Sequence, residues 1–296
     1  MVPVVGRDSG GGVRTSVRER PMSPELFNQA EIFEDLAAEL DRLEEVLDQL
    51  SPEQWTSASA APGWSVSDVV LHLAQTEEFV VASLSAAINP VPRATTGWAS
   101  VSTPGLATPG SATPGSATPG SATMDSAMGE LVAAERSSAS DTLQRWKAAR
   151  RAALASLRHA DPLASFPWAA APLRPAVLAA TRLAEHWAHA QDIVEPLAID
   201  LPDTDRLRHV AWLGHRTLPY ALGLRGMEAR PLRAVLVGPT GRTFTYGPPE
   251  AASTISGELV AFCRVGAQRL QAEASGLDCS DTFAVEALRA LRNYAA

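Results

Sequence analysis

Apolar residues recur at helical spacing through most of the first 228 positions. Leu36, Leu40, Leu43, Leu47 and Leu50 follow one another at intervals of 4, 3, 4 and 3, the stripe of an amphipathic helix in a bundle. Ser23-Pro24 supplies a helix start, an N-cap followed by Pro at the first helical position. Ser51-Pro52-Glu53-Gln54 restarts a short helix with a capping-box pattern. The next helix opens after Gly63-Trp64, with Ser65 as cap and Asp68 where a carboxylate complements the helix dipole. It runs to about residue 88, with Val66, Val69, Leu73, Val80 and Leu84 on its apolar side and His72 beside that stripe. A third helix carries Leu143, Trp146, Ala153, Leu154 and Leu157, and a fourth spans about 175 to 195 before Pro196 stops it. A fifth begins near Thr204, with Leu207, Val210, Ala211, Leu213 and Leu218.

The period changes after Arg230-Pro231. Residues 232–237 are apolar and β-rich, Pro239-Thr240-Gly241 makes a turn, and residues 243–246 return as a second strand. Residues 252–256 form a candidate third strand. Helical patterns follow around Leu259, Phe262, Cys263 and Leu270, then Phe283, Leu288 and Leu291. The expected fold is therefore mainly α: a helical bundle over 23–228, then a small α/β C-terminal domain over 229–296. Residues 1–22, rich in Gly and Arg, are expected to be a disordered tail and no secretory signal. A Thr-Pro-Gly-Ser-Ala repeat, centred on 102–123, is expected to be a disordered insertion at about 95–125.

Composition narrows the function classes. The net charge is −8, from 25 basic against 33 acidic residues, and Lys147 is the single lysine. That balance disfavours nucleic acid and anionic membrane as partners. No apolar run reaches the roughly 18 residues of a membrane helix. Two cysteines, Cys263 and Cys279, are too few for a disulfide scaffold. A cytoplasmic protein is expected.

The chemistry concentrates between Arg182 and Asp192. Glu185 and His189 are four apart, so on a helix both project from one face and can reach one divalent ion. Asp192, three further on, can accept the second ring N–H of His189 and fix its tautomer. Arg182 can pair with Glu185 or with an acidic substrate. The ordinary alternative is a solvated ion pair worth tenths of a kcal/mol. Leu183, Ala184, Trp187, Ala188, Ile193 and Val194 argue against it, because buried carboxylates and imidazoles need partners. Among the six histidines, His159, His209 and His215 sit near arginines. His72 is the best remaining third ligand, with a core histidine bonded to a carbonyl as the alternative. His186 is its rival, three from His189. Protease, di-iron, P-loop and nucleophile-elbow motifs are absent. Cys263 reads as a small core residue. Arg225, Arg264 or Arg269 can hold a carboxylate on a cofactor or substrate, or serve as surface charges.

These residues carry a resemblance. The segment from Ala61-Pro62-Gly63-Trp64-Ser65 to His72-Leu73-Ala74, the Glu185-His186-Trp187-Ala188-His189-Ala190-Gln191-Asp192 run and Asp205-Arg206-Leu207-Arg208-His209-Val210-Ala211 resemble three motifs of one superfamily. It is the actinobacterial metal-binding branch of the DinB-like, mycothiol-dependent maleylpyruvate isomerase superfamily. Gly247-Pro248 and Phe262-Cys263 are similar to elements of its C-terminal domain. The resemblance implies a DinB-like four-helix bundle in which His72, Glu185 and His189 hold a divalent metal, usually zinc. The second motif usually has a small residue at His186, which leaves open a fourth ligand, an altered site or a tolerated substitution. Three protein ligands leave one position free. The family fills it with a thiol, mycothiol, which metal coordination deprotonates from its ordinary pKa of about 8.5. The thiolate adds to an electrophilic small molecule, giving a cis-trans isomerase if it leaves again and an S-transferase if it stays. A metal-water hydrolase or lyase and a non-catalytic metal-binding module are the alternatives.

Overall fold

The computed structural model describes residues 29–88, 124–168 and 171–294. The expected tail over 1–22, the Ser23-Pro24 helix start and positions 95–123 of the expected insertion lie outside them. Among the described residues, no helix is long and apolar enough to cross a membrane.

Four long helices build the bundle. Helix α1 (Gln29–Leu47) buries Leu36, Leu40, Leu43 and Leu47 along one stripe, while Leu50 packs just beyond its end. The short α2 (Pro52–Thr56) closes with the anticipated capping box: Ser51 Oγ accepts from Gln54 N, and Gln54 Oε1 accepts from Ser51 N. Gly63 then takes a left-handed φ of 80°, which turns the chain into α3 (Val66–Ile88). Ser65 and Asp68 cap α3 reciprocally, each side chain accepting from the other's backbone N–H.

Helix α4 (Met124–Ala134) corrects the reading of the insertion, whose last expected residues, 124 and 125, are helical. Its apolar stripe is weak, and Val132 alone of its described side chains is buried, so periodicity gives little signal. Helix α5 (Ala139–His159) starts at the Ser138 cap and packs along α3. Helix α6 (Pro175–Val194) starts with Pro175 at its first turn, packs along α1 and is buried over most of its length.

Helix α7 (Arg208–Leu224) follows a 3-10 turn and joins the bundle to the C-terminal elements, touching α6 on one side and the last two helices on the other. Those elements are β1 (Leu232–Val237), β2 (Thr243–Tyr246), β3 (Ser253–Glu258), α8 (Leu259–Gly266), β4 (Asp278–Cys279) and α9 (Thr282–Ala290). The sheet order is β2-β1-β3-β4. The expected hairpin is present as the antiparallel β1–β2 pair, and β3 lies parallel to β1 on its other side. Leu232, Ala234 and Leu236 turn inward from β1. The two-residue β4 is too short to register as a hydrophobic period. The buried core continues from the bundle through α7 into the sheet.

Candidate metal centre

Two helices bring three polar side chains together inside this apolar frame. Helix α3 carries His72, and α6 carries Glu185 and His189 one turn apart. His72 Nε2 lies 2.9 Å from Glu185 Oε1, and His189 Nε2 lies 3.5 Å from the same oxygen. One potential ligand atom from each residue lies within 4.8 Å of the other two. His72 Nδ1 is buried without a partner, so the ring is tied to the protein through the nitrogen it turns to Glu185. The indole of Trp64 lies against both imidazoles, with ring centroids 5.1 Å from His72 and 6.4 Å from His189. Two imidazoles and a carboxylate that converge this way are a donor set suited to zinc-type coordination with one position open.

The electrostatics distinguish the three groups. Burial pushes the Glu185 carboxyl upward, but its hydrogen bonds to His189 and His72 and the charge of Arg182 hold it well below the usual range. Burial lowers His72, which therefore stays neutral near pH 7. Burial would lower His189 as well, yet its hydrogen bonds to Asp192 and Glu185 override that and raise it to about 9.

Asp192 stands where the spacing places it. His189 Nδ1–H donates to Asp192 Oδ2 at 2.9 Å, which leaves Nε2 facing the cluster. Sequence reasoning missed what holds Asp192 in turn. Arg269, weighed only as a carboxylate holder for a ligand or a surface charge, donates to both of its oxygens, at 2.7 and 2.6 Å. The two residues are 77 positions apart, so no local pattern pairs them. Trp64 was also missed, because Gly63-Trp64 reads only as a helix boundary.

Other candidates go elsewhere. Arg182 does not pair with Glu185: its guanidinium is buried and donates to Glu77 Oε1 at 2.8 Å and Thr76 Oγ1 at 2.7 Å, both on α3. The fully buried Glu77 compensates it, and no spacing rule reveals a partner 105 residues away. His186 is not drawn into the cluster either. Trp146 Nε1–H, which can only donate, reaches His186 Nε2 at 3.2 Å, so His186 Nδ1 carries the proton and donates to Arg182 O at 2.9 Å. With both ring nitrogens engaged by protein, His186 is a satisfied core residue and offers no fourth ligand. Arg264 reaches Gln191 and Glu195 at the end of α6, close to Asp192 in sequence. Arg225 caps α7 and donates to Arg289 O of α9, away from the cluster's helices.

Comparison with known proteins adds three findings. Residues 36–194 match the family model of the mycothiol maleylpyruvate isomerase N-terminal domain, a segment that contains all three clustered residues. An uncharacterized protein of Mycobacterium tuberculosis strain H37Rv is 30% identical over 237 residues, covering 79% of this chain and 84% of that protein. Its counterpart in strain CDC 1551 / Oshkosh matches equally. Among solved structures, a mycothiol-dependent maleylpyruvate isomerase shares the fold with a TM-score of 0.54 at 14% identity, covering 85% of this chain and 92% of the other. A histidine-to-alanine mutant of a protein with that name gives a TM-score of 0.53 over the same shares.

Proposed function

Because the chain belongs to the mycothiol maleylpyruvate isomerase family, we propose that it is an enzyme of the thiol-dependent isomerase or S-transferase type, using a divalent metal and acting on an electrophilic small molecule. The observation that carries this reading is the convergence of His72, Glu185 and His189 on one point between α3 and α6. These three would hold the ion, and zinc suits the donor set. A divalent ion at that position supplies the positive charge that keeps a thiol deprotonated near neutral pH.

The chain's own residues do the rest. Asp192 holds the Nδ1 proton of His189, so Nε2 is the nitrogen that faces the cluster and would give up its proton to an incoming ion. Glu185, held as a carboxylate, supplies the negative charge between the imidazoles. Trp64 covers their rings and limits water on that side. The thiol is supplied from outside. Cys263 is fully buried and donates to Leu207 O, and burial pushes its thiol well up. Cys279 lies on β4, and burial raises it too. Neither cysteine is placed to act as an internal thiol, and the family match, rather than the cysteine count, favours mycothiol over a metal-water reaction. A cytoplasmic location belongs to the same reading.

Cobalt-substituted protein tests it. Added mycothiol is expected to produce an intense near-ultraviolet charge-transfer band that is absent from the His189→Ala variant. Full turnover of a native substrate with every small thiol removed would overturn the thiol-dependent reading.

A further inference from the structure

The matched family segment ends at residue 194, but the hydrogen-bond chain that starts at His189 does not. It passes through Asp192, which is 1% exposed, to Arg269 in the turn after α8. The contact is a fork: Nε and one terminal nitrogen of Arg269 take the two carboxylate oxygens of Asp192. The other terminal nitrogen donates to Ala267 O at 2.8 Å, so the guanidinium is fixed at both ends.

The turn that presents Arg269 is itself held in place. Gln268 adopts φ 60°, a left-handed conformation uncommon for a residue with a side chain. Backbone hydrogen bonds from Gln268 N to Val265 O and from Arg269 N to Arg264 O close the end of α8. The Gln268 side chain donates to Val265 O and Leu291 O, which ties the turn to the end of α9. Arg264, at the last turn of α8, holds Gln191 and Glu195 on either side of Asp192. The turn is thus anchored to α6 at one edge and to the C-terminal elements at the other.

We propose that Arg269 is a positioning residue for the metal centre: the C-terminal elements set the orientation of His189 through the Arg269–Asp192 fork. The inference rests on the reading of His189 as a ligand and deepens it. A site whose first ligands come from α3 and α6 is completed from outside both helices. Arg269 touches neither the ion nor the substrate in this role. Its effect is to keep Asp192 from turning, and so to keep the His189 ring at one angle and in one tautomer.

Two readouts test it. The first is zinc affinity, by chelator competition, in Arg269→Gln, Arg269→Lys and Tyr246→Phe. Arg269→Gln is expected to weaken binding about 10- to 100-fold, as loss of an outer-shell partner does. Arg269→Lys, which restores the charge but not the fork, should fall between it and the wild type. Tyr246→Phe removes a hydrogen bond from the sheet to Arg208 O without touching Asp192, and should leave affinity unchanged. The second readout needs no metal: nitrogen-15 spectra of the His189 ring should show Nδ1–H held in a hydrogen bond in the wild type and released in Arg269→Gln. Unchanged affinity with an unchanged ring signal would overturn the proposal, and so would an equal loss in Tyr246→Phe. If the wild type takes up no zinc, the functional reading fails, and the ring spectra alone decide whether Arg269 positions His189.

Discussion

His186 and His189 are three residues apart on one helix, and the structure gives them opposite environments. His186 turns toward Trp146 of α5, which takes one ring nitrogen, while the carbonyl of Arg182, one turn earlier on α6, takes the other. Burial, with the nearby charge of Arg182, pushes it down to about 3. His189 faces Glu185 and Asp192, whose carboxylates raise it to about 9. Residue type and helix are the same, so the difference comes from what each ring faces: Trp146 of α5 and the Arg182 carbonyl for His186, the α6 carboxylates Glu185 and Asp192 for His189. The sealed side is neutral and satisfied and supports the fold. On the acidic side His72 and His189 both turn a ring nitrogen to Glu185 Oε1, which makes it the candidate metal site.

The largest effect expected from this contrast is on the sealed side. Glu77→Gln removes the counter-charge of the buried Arg182. Leaving one charge of a buried pair unpaired costs about 3–5 kcal/mol. Denaturant unfolding should show that loss, while the folded fraction still takes up zinc. A stability close to wild type would mean that water reaches this pair and that the two sides differ less than the geometry indicates.

His186→Leu comes next. It strands the indole N–H of Trp146, at about 1–3 kcal/mol for a buried group left unsatisfied, while the Arg182 carbonyl keeps its helical bond. Unfolding curves should shift by that amount. Metal affinity should not change, and a variant that loses its metal would return His186 to the ligand set.

The acidic side should respond to pH in two opposing ways. In metal-free protein His189 titrates at about 9, above the ordinary histidine value of 6.5. Its contribution to stability is thus fully present below pH 6.5 and is lost as pH rises through about 9. Metal must displace that proton, because His72 and Glu185 are already deprotonated near pH 7. Affinity should therefore rise by about tenfold per pH unit between pH 7 and 9, with one proton released per ion bound. Calorimetric titration in buffers of different ionisation enthalpy reads the proton directly. A pH-independent affinity would show that His189 enters the reaction neutral, contrary to the contrast drawn with His186.

Sequence made visible what depends on neighbours along the chain. The leucine stripe of α1, the Ser51 and Ser65 caps and the β1–β2 hairpin are all local patterns, and all are present. The Glu185, His189 and Asp192 geometry follows from helical spacing alone, and the choice of His72 was sharpened by the resemblance. What stayed hidden was set by tertiary packing. Arg182 finds Glu77 and Asp192 finds Arg269 only once distant segments meet. Spacing placed Glu185 and Asp192 beside His189 but did not show that His186 is satisfied, because Trp146, which takes its Nε2, sits on α5. Helix α4 and strand β4 lacked the period that would mark them.

Metal content of purified variants tests the central claim most directly. The wild type and His186→Leu are expected to hold one zinc per chain, whereas Glu185→Ala and His189→Ala should emerge from the same purification without it and take none up. Zinc retained by His189→Ala, or none bound by the wild type, would contradict the account.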